Sequence, residues 1–350
     1  MRRWLLTLGL GGCLGLVAGL ILEVRPGSAR VVREPFFGYD VAYGSEPVSK
    51  TLIEAKHGGA DTIRYDLHWS QVQPTPRHHY YFGSDDHIYH QVVRRGIRPL
   101  IIISAAPCWA HPSVRCHNHY NTVRPDRRYL GRWRKFVTAV ARRYPRARGF
   151  EIWNEPNLKG FWGRKPSPSG YARVLRAAYR GVERAHSDVP VVFGGVAPTA
   201  GWLRFVRRAY RHGAARYSDI LATHLYAFVA PVVESVLSEA KQIDAVRFRY
   251  DPSAPLWVTE TGVSTATGRI WQPTVRRQQQ ARSLVGIYRG LGRLGIGMVN
   301  VFRLRDPTAG LYPPRTWQTG LGVEHRDGAP KPAYCALART RGASPSRCRR

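Results

Sequence analysis

The sequence predicts a (β/α)8 TIM barrel, an α/β fold in a single domain. Eight short apolar, β-branched runs alternate with longer stretches of helical period once residue 33 is passed. Two of those runs end abruptly in a glutamate, Glu155 and Glu260. No Gly-x-Gly-x-x-Gly follows the first run, so a doubly wound open sheet, the runner-up, lacks its dinucleotide signature. A chain of 350 residues with 43% hydrophobic and 11% aromatic content supplies ample core for one large domain.

Met1, Arg2 and Arg3 precede an almost uncharged stretch from Trp4 to Leu22. A basic start followed by an apolar run is an export signal, and this one is long enough to stay as an anchor. Residues 1–30 are therefore expected to be a signal peptide or signal anchor. Residues 34–335 would form the catalytic barrel, and 336–350 a basic tail. The expected location is outside the cell, secreted or anchored to the outer face of the cytoplasmic membrane.

Cysteine usage agrees with export. Apart from Cys13, four cysteines remain, which allow three pairings. The two local ones, Cys108–Cys116 and Cys335–Cys348, are favoured.

The eight candidate strands are Phe36–Tyr39, Thr62–Leu67, Arg98–Ile103, Phe150–Trp153, Val189–Phe193, Ile220–His224, Leu256–Thr259 and Met298–Phe302. Helical stripes lie between most of them. Tyr171, Val174, Leu175, Ala178, Tyr179 and Val182 make one; Leu203, Val206 and Tyr210 another; Leu284, Ile287, Tyr288 and Leu291 a third.

The formal net charge is +31, nearly all of it from arginine. Such a surface attracts anionic polymers, so electrostatic attachment to an anionic cell-wall polymer or a membrane surface is one expectation. The competing reading is a set of solvated helix faces. Arg132, Arg134, Lys135, Arg142 and Arg143 alternate with Leu130, Trp133, Val137, Val140 and Tyr144 at helical spacing. No zinc finger, RNA-binding signature or basic zipper is present, so no specific nucleic acid is expected.

In a barrel of this kind the chemistry sits where the strands end. His68, Trp69, Trp109, Asn154, Glu155, His224, Tyr226, Glu260 and Asp306 all fall at such ends. Glutamate is a poor strand residue, and a buried one is costly unless it acts there. Two carboxylates facing one cleft are the apparatus of glycosidic bond cleavage: one protonates the leaving oxygen, the other attacks or activates water. Glu155 lies in sequence among Trp153, Pro156, Phe161 and Trp162, apolar neighbours that favour the protonated form. Glu260 lies among Thr259, Thr261 and Gly262, which favour the ionised one. Asn154 and Glu155 are adjacent, so both can face the cleft only if the chain leaves β geometry there.

Trp153-Asn154-Glu155-Pro156-Asn157 resembles the acid/base motif of clan A glycoside hydrolases, closest to families 39 and 5. Trp257-Val258-Thr259-Glu260-Thr261-Gly262 resembles their nucleophile strand. Ile63-Arg64-Tyr65-Asp66-Leu67-His68-Trp69, Thr223-His224-Leu225-Tyr226 and Lys331-Pro332-Ala333-Tyr334 extend the likeness across residues 36–335.

The resemblance implies a retaining glycosidase that hydrolyses O-glycosidic bonds, expected to be β-linked, by double displacement, with Glu155 as acid/base and Glu260 as nucleophile. It implies that Asn154 bonds the sugar 2-hydroxyl and that Arg64 keeps Glu260 ionised. Tyr226 would bond Glu260, His224 would buttress the pair, and Trp109 and Trp162 would offer stacking faces. A monomer with a carbohydrate substrate and no cofactor or metal is expected.

One departure stands out. Relatives carry a tryptophan platform near the end of strand eight, where this chain reads Val301-Phe302-Arg303-Leu304-Arg305-Asp306. Arg303 and Arg305 would either bind an acidic sugar or pair with Asp306. The missing platform also motivates an alternative, a non-catalytic glycan-binding surface protein on a degenerate barrel. The run from Cys108 to His119 carries two cysteines and three histidines, but its spacing matches no closed zinc pattern. His111 is expected to line the cleft beside Trp109 instead.

Overall fold

The structure, a computed structural model, describes residues 34–41, 48–77, 79–114, 123–163, 165–267, 273–313 and 315–349. The expected segment 1–30 and Cys116 lie outside the described residues. Among the described residues no helix is long and apolar enough to cross a membrane.

The chain runs β1 (Phe36–Asp40), α1 (Val48–His57), β2 (Thr62–His68), α2 (Trp69–Val72), α3 (Gly83–Arg94) and β3 (Arg98–Ser104). It continues through α4 (Leu130–Arg143), β4 (Gly149–Ile152), α5 (Lys159–Trp162), α6 (Pro168–Arg184), β5 (Val191–Phe193) and α7 (Trp202–Arg211). It ends with β6 (Leu221–Leu225), α8 (Val232–Tyr250), β7 (Leu256–Thr261), α9 (Arg277–Arg293), β8 (Met298–Val301) and α10 (Pro332–Thr340). The eight expected strands are all present, with small shifts at their ends.

All strand pairs are parallel, in the order β5-β4-β3-β2-β1-β8-β7-β6. Bridges Val192–Ile220 and Val196–Thr223, with the Phe193 amide donating to Ile220 O at 2.9 Å, join β5 to β6 and close the ring. Closure leaves no edge strand among the eight.

Alternation sorts side chains between the barrel axis and the helical shell. Ile63, Tyr65 and Leu67 face the helices, whereas Thr62, Arg64 and Asp66 take the opposite face of the same strand. Toward the strand starts the axis is apolar: Leu100, Val192, Ile220, Ala222, Trp257 and Met298 form a separate buried cluster. Toward the strand ends it turns polar, with Asp40, Arg64, Glu151, His224 and Glu260 all buried. The helical stripes meet the shell as their spacing requires. Tyr171, Val174, Leu175, Ala178 and Val182 are buried on α6, and Leu284, Ile287, Tyr288 and Leu291 on α9. On α4 the cations Arg134, Lys135, Arg142 and Arg143 are exposed, so much of the positive charge there is solvated helix face.

The C-terminal stretch departs from expectation. The boundary at 335 falls inside α10, whose Leu337 and Ala338 are fully buried. Beyond it, Arg341 pairs with Glu34 at 2.7 Å and Asp61 at 2.8 Å, and Arg347 with Glu54 at 3.0 Å and Glu324 at 2.9 Å. These basic residues clamp the tail to the barrel. The Cys335–Cys348 disulfide is formed, with Cα atoms 5.5 Å apart.

That bond closes a loop with a sequence separation of 13. Replacing both cysteines by serine should lower stability by about 2–3 kcal/mol through the freed chain entropy of the unfolded state. A urea unfolding midpoint unchanged from wild type would contradict this.

Candidate active site

Arg64 sits mid-strand on β2, 1% exposed. Its Nε donates to Glu151 Oε2 at 2.9 Å and its Nη1 to Asp40 Oδ2 at 2.7 Å and Glu260 Oε1 at 2.5 Å. Its Nη2 donates to Glu151 Oε1 at 3.2 Å and Asn154 Oδ1 at 2.8 Å. One planar fork thus joins β1, β2, β4 and β7. Burial works against the guanidinium charge, but Glu151, Glu260 and Asp40 outweigh it and hold the proton on.

Glu151 is the innermost acid, fully buried. It also accepts from the Gly195 amide at 2.9 Å and Thr259 Oγ1 at 3.2 Å. Burial pushes its pKa up, yet Arg64 and His224 overcome that and bring it down to about 2. Asp40 goes the other way. Burial, reinforced by Glu260, prevails over Arg64 and raises it to about 7.

Glu155 and Glu260 reach this network by leaving regular strand geometry. β4 stops at Ile152, and Trp153 and Glu155 take left-handed φ values of 75° and 42°. The break lets Asn154 and Glu155 both turn to the axis, as adjacent strand residues cannot. Such backbone is strained and persists only where its surroundings over-determine it. Here the Glu155 amide donates to Gly195 O at 3.0 Å and Trp153 Nε1 to Phe161 O at 2.7 Å. On β7 the register slips: Thr223 pairs with Val258 but His224 with Glu260. This bulge at Thr259 re-aims Glu260 inward while Thr259 still reaches Glu151.

The carboxylates converge on His224 of β6. His224 Nδ1 lies 2.9 Å from Glu155 Oε1, and Nε2 lies 3.5 Å from Glu260 Oε1 and 3.9 Å from Glu151 Oε1. A ring carrying a second proton sets its Nε2 against Arg64 Nη2 at 3.3 Å, a repulsion that Glu151 and Glu260 beside it offset. Burial would strip that proton, but Glu260, Glu151 and Glu155 outweigh it and raise the pKa to about 9. Gly195 makes room for the ring: a Cβ there would collide with the imidazole. Tyr226 donates from its hydroxyl to Glu260 Oε2 at 2.8 Å.

One donor atom each from Glu155, His224 and Glu260 lie within 4.8 Å of one another. The same three atoms could in principle be offered to a cation. Arg64 and a protonated His224 already supply positive charge there, which disfavours adding more. The close approach of the carboxylates fits direct attack on a sugar carbon. A separation of roughly 5–5.5 Å leaves no room for an intervening water, whereas inversion needs about 6.5–9.5 Å.

Arg64, Asn154, Glu155, His224, Tyr226 and Glu260 therefore meet in one place. Other expectations do not hold. Trp162 is 0% exposed and cannot offer a stacking face; it is enclosed by Trp153, at 5.8 Å between ring centroids, and Arg124. His111 is also 0% exposed, held in the turn after β3, and does not line an open cleft. Trp109 is half-buried, edge-on to Trp69 at 5.2 Å, and donates to Gln73 O at 3.2 Å. The apolar surroundings expected for Glu155 give way to an imidazole.

Neither arginine of the β8 exit pairs with Asp306, which takes Lys331 at 2.7 Å. Arg305 binds Glu54 and Glu324 in the shell. Arg303, 5% exposed, lies against the rings of Phe302 and Tyr312, with Asp40 as a charged neighbour. Glu151, Asp40 and the half-exposed Asp66 are site acids that sequence reasoning passed over. Alternation from Arg64 would have found Asp66.

The model of glycosyl hydrolases family 39 matches residues 60–263. Among solved structures, the chain superposes on a family 39 glycoside hydrolase from Bacteroides cellulosilyticus WH2 with a TM-score of 0.69 and 22% identity, over 87% of this chain and 63% of that one. A monomeric beta-xylosidase from Caulobacter crescentus CB15 gives 0.68 and 20%, over 87% and 68%. GH5_18 from Streptomyces cattleya, in complex with GlcNAc, gives 0.70 and 17%, over 89% and 82%. The chain thus spans less than two thirds of the length of the Bacteroides enzyme, and at such identities the likeness carries the fold.

Glu151→Gln keeps the shape of the innermost acid and removes its charge. It should cost about 3–5 kcal/mol at neutral pH, because Arg64 loses a buried counter-charge. The folded pKa is depressed from 4.5 to about 2, so the stabilisation is full above 4.5 and lost as pH falls toward 2. Unfolding free energies of variant and wild type should converge over that window; a gap independent of pH would refute the assignment.

Proposed function

The chain belongs to glycosyl hydrolases family 39, and from that premise we propose that it is a retaining glycoside hydrolase of β-linked O-glycosyl substrates, with Glu260 as nucleophile and Glu155 as acid/base. The observation that carries the reading is the approach of a Glu155 oxygen and a Glu260 oxygen to within 4.8 Å. In the first step a Glu260 oxygen forms a bond to the anomeric carbon as the bond to the leaving oxygen breaks. The proton held between Glu155 Oε1 and His224 Nδ1 passes to that oxygen. In the second step water gives a proton back to Glu155, its oxygen bonds the anomeric carbon, and Glu260 leaves.

The surroundings suit these roles. Arg64 and Tyr226 each hold one oxygen of Glu260. That keeps it ionised and aimed, and both donors stabilise it again as a leaving group. Asn154 is fixed through its Oδ1 by Arg64, which leaves its amide N–H groups to meet a sugar hydroxyl. With both carboxylates in place, a purely glycan-binding role is disfavoured. We infer further that the protein acts as a monomer and is exported; the Cys335–Cys348 bond suits an oxidising compartment.

Aryl β-glycosides provide the test. Glu260→Ala should abolish turnover. Glu155→Ala should slow hydrolysis by about 10²–10⁴-fold, least for leaving groups that need no proton, and azide should restore it as a glycosyl azide of retained configuration. Full activity in either variant would end the proposal.

The pH profile supplies a second test. A raised folded pKa means that His224 keeps its proton from acid pH up to about 9 and loses it above. The Glu155–His224 pair then keeps only the N–H of a neutral imidazole, which is far too weak an acid to protonate a leaving group. We expect kcat/KM to fall on an alkaline limb near 9, and His224→Asn to move that limb. An unmoved limb would show that the proton is held elsewhere.

A further inference from the structure

A groove of about 920 Å³ lies away from the carboxylate pair, between the loop that precedes α4, the loop that follows α5 and the first turns of α6. Five cations line it: Arg124, Arg127, Arg128, Lys165 and Arg173. Its one described carboxylate, Asp126, is engaged by Ser113 Oγ at 2.6 Å and Arg124 Nη1 at 3.3 Å. Arg127, Arg128, Lys165 and Arg173 are exposed and have no carboxylate partner among the described residues. These cations rim the groove.

Two further features point to a ligand. Trp162 lines the groove fully buried, and its indole N–H has no acceptor among the described residues. Buried donors are rarely left unmade, because each costs about 1–3 kcal/mol. The N-termini of α4 and α6 also open here, through Leu130 and through Ser167 and Gly170, and their dipoles favour negative charge.

We propose that this groove binds an acidic glycan, a polysaccharide segment bearing carboxylates, at a site separate from the catalytic one. Guanidinium forks match carboxylates in pairs. Pro125, Leu130 and Val174 give the apolar contact that sugar C–H faces use. A polyphosphate has no such face to offer. Position argues the same way: Lys165 follows Glu155 in the stretch between β4 and α6, and Arg124 follows Trp109 in the stretch after β3. The assignment of a glycan rests on the family's chemistry at the neighbouring cleft; the demand for an anion does not.

The test measures binding without turnover. An oligogalacturonate is titrated into the full chain at about 0.15 M salt, where remote surface charge is largely screened. Arg127→Ala with Arg173→Ala should weaken binding by at least about tenfold and make it less sensitive to salt. Arg204→Ala with Arg207→Ala, an equal loss of charge on α7, should change it less than about twofold. Trp162→Phe should weaken binding measurably at unchanged thermal stability. Both double variants should cleave an aryl β-glycoside at the wild-type rate, so a failure of hydrolysis is read separately from a failure of binding. The proposal is overturned if the two double variants behave alike, if wild type shows no saturable binding, or if polyphosphate or single-stranded DNA binds more tightly than the oligouronate.

Discussion

The guanidinium of Arg64 is the point on which the rest of this barrel turns. It is buried, charged, and bonded to acids from three other strands: Asp40 of β1, Glu151 of β4 and Glu260 of β7. Each acid would be expensive to bury alone, and so would the arginine. Together they satisfy one another, and because the partners come from different strands the satisfaction requires a closed ring. Barrel closure and site assembly are therefore one construction. An apolar plug of the same volume would stabilise the axis as well or better. It would not hold a carboxylate ionised and aimed at a substrate.

The same network explains how local strain is tolerated. The left-handed turns at Trp153 and Glu155, and the bulge at Thr259, are unfavourable taken singly. Each is held by contacts that belong to the network or its support. Gly195 receives the Glu155 amide at its carbonyl and gives its own amide to Glu151. Tyr171 accepts from the Gly194 amide at 2.6 Å and donates to Ile152 O at 3.0 Å, tying the ends of β4 and β5 to α6. The irregular backbone thus sits where three adjacent elements already agree on its position.

These facts also decide what a reader of the sequence could see. Barrel strands are buried on both faces, so they read as near-continuous apolar runs, and all eight were legible. Glu155 and Glu260 were legible because an acid at the end of such a run has no structural excuse. Glu151 was not: it sits between Phe150 and Ile152, and in a sequence it is one polar letter inside a strand, with its partner Arg64 far away along the chain. Asp40 was hidden the same way. Trp162 ends the single-turn helix α5 and His111 lies in a turn, segments too short for any period to separate a ring that faces sugar from one that faces core. The β7 bulge has no letter of its own. It follows from Thr259 and Glu260 both being needed on one side.

The charge distribution shows why the network, and not the net charge, governs the chemistry. The chain carries +31, and a field of that size would be expected to draw protons away from every group in the cleft. Yet His224 is raised to about 9 and Asp40 to about 7, both in the direction of holding a proton. The exposed arginines act through water and salt, and their influence fades over about 8 Å at physiological ionic strength. The site acids act across the protein interior at hydrogen-bonding distance, where screening is weak. A barrel with a strongly basic exterior can therefore keep an acid-rich axis whose proton inventory is set by a few buried neighbours.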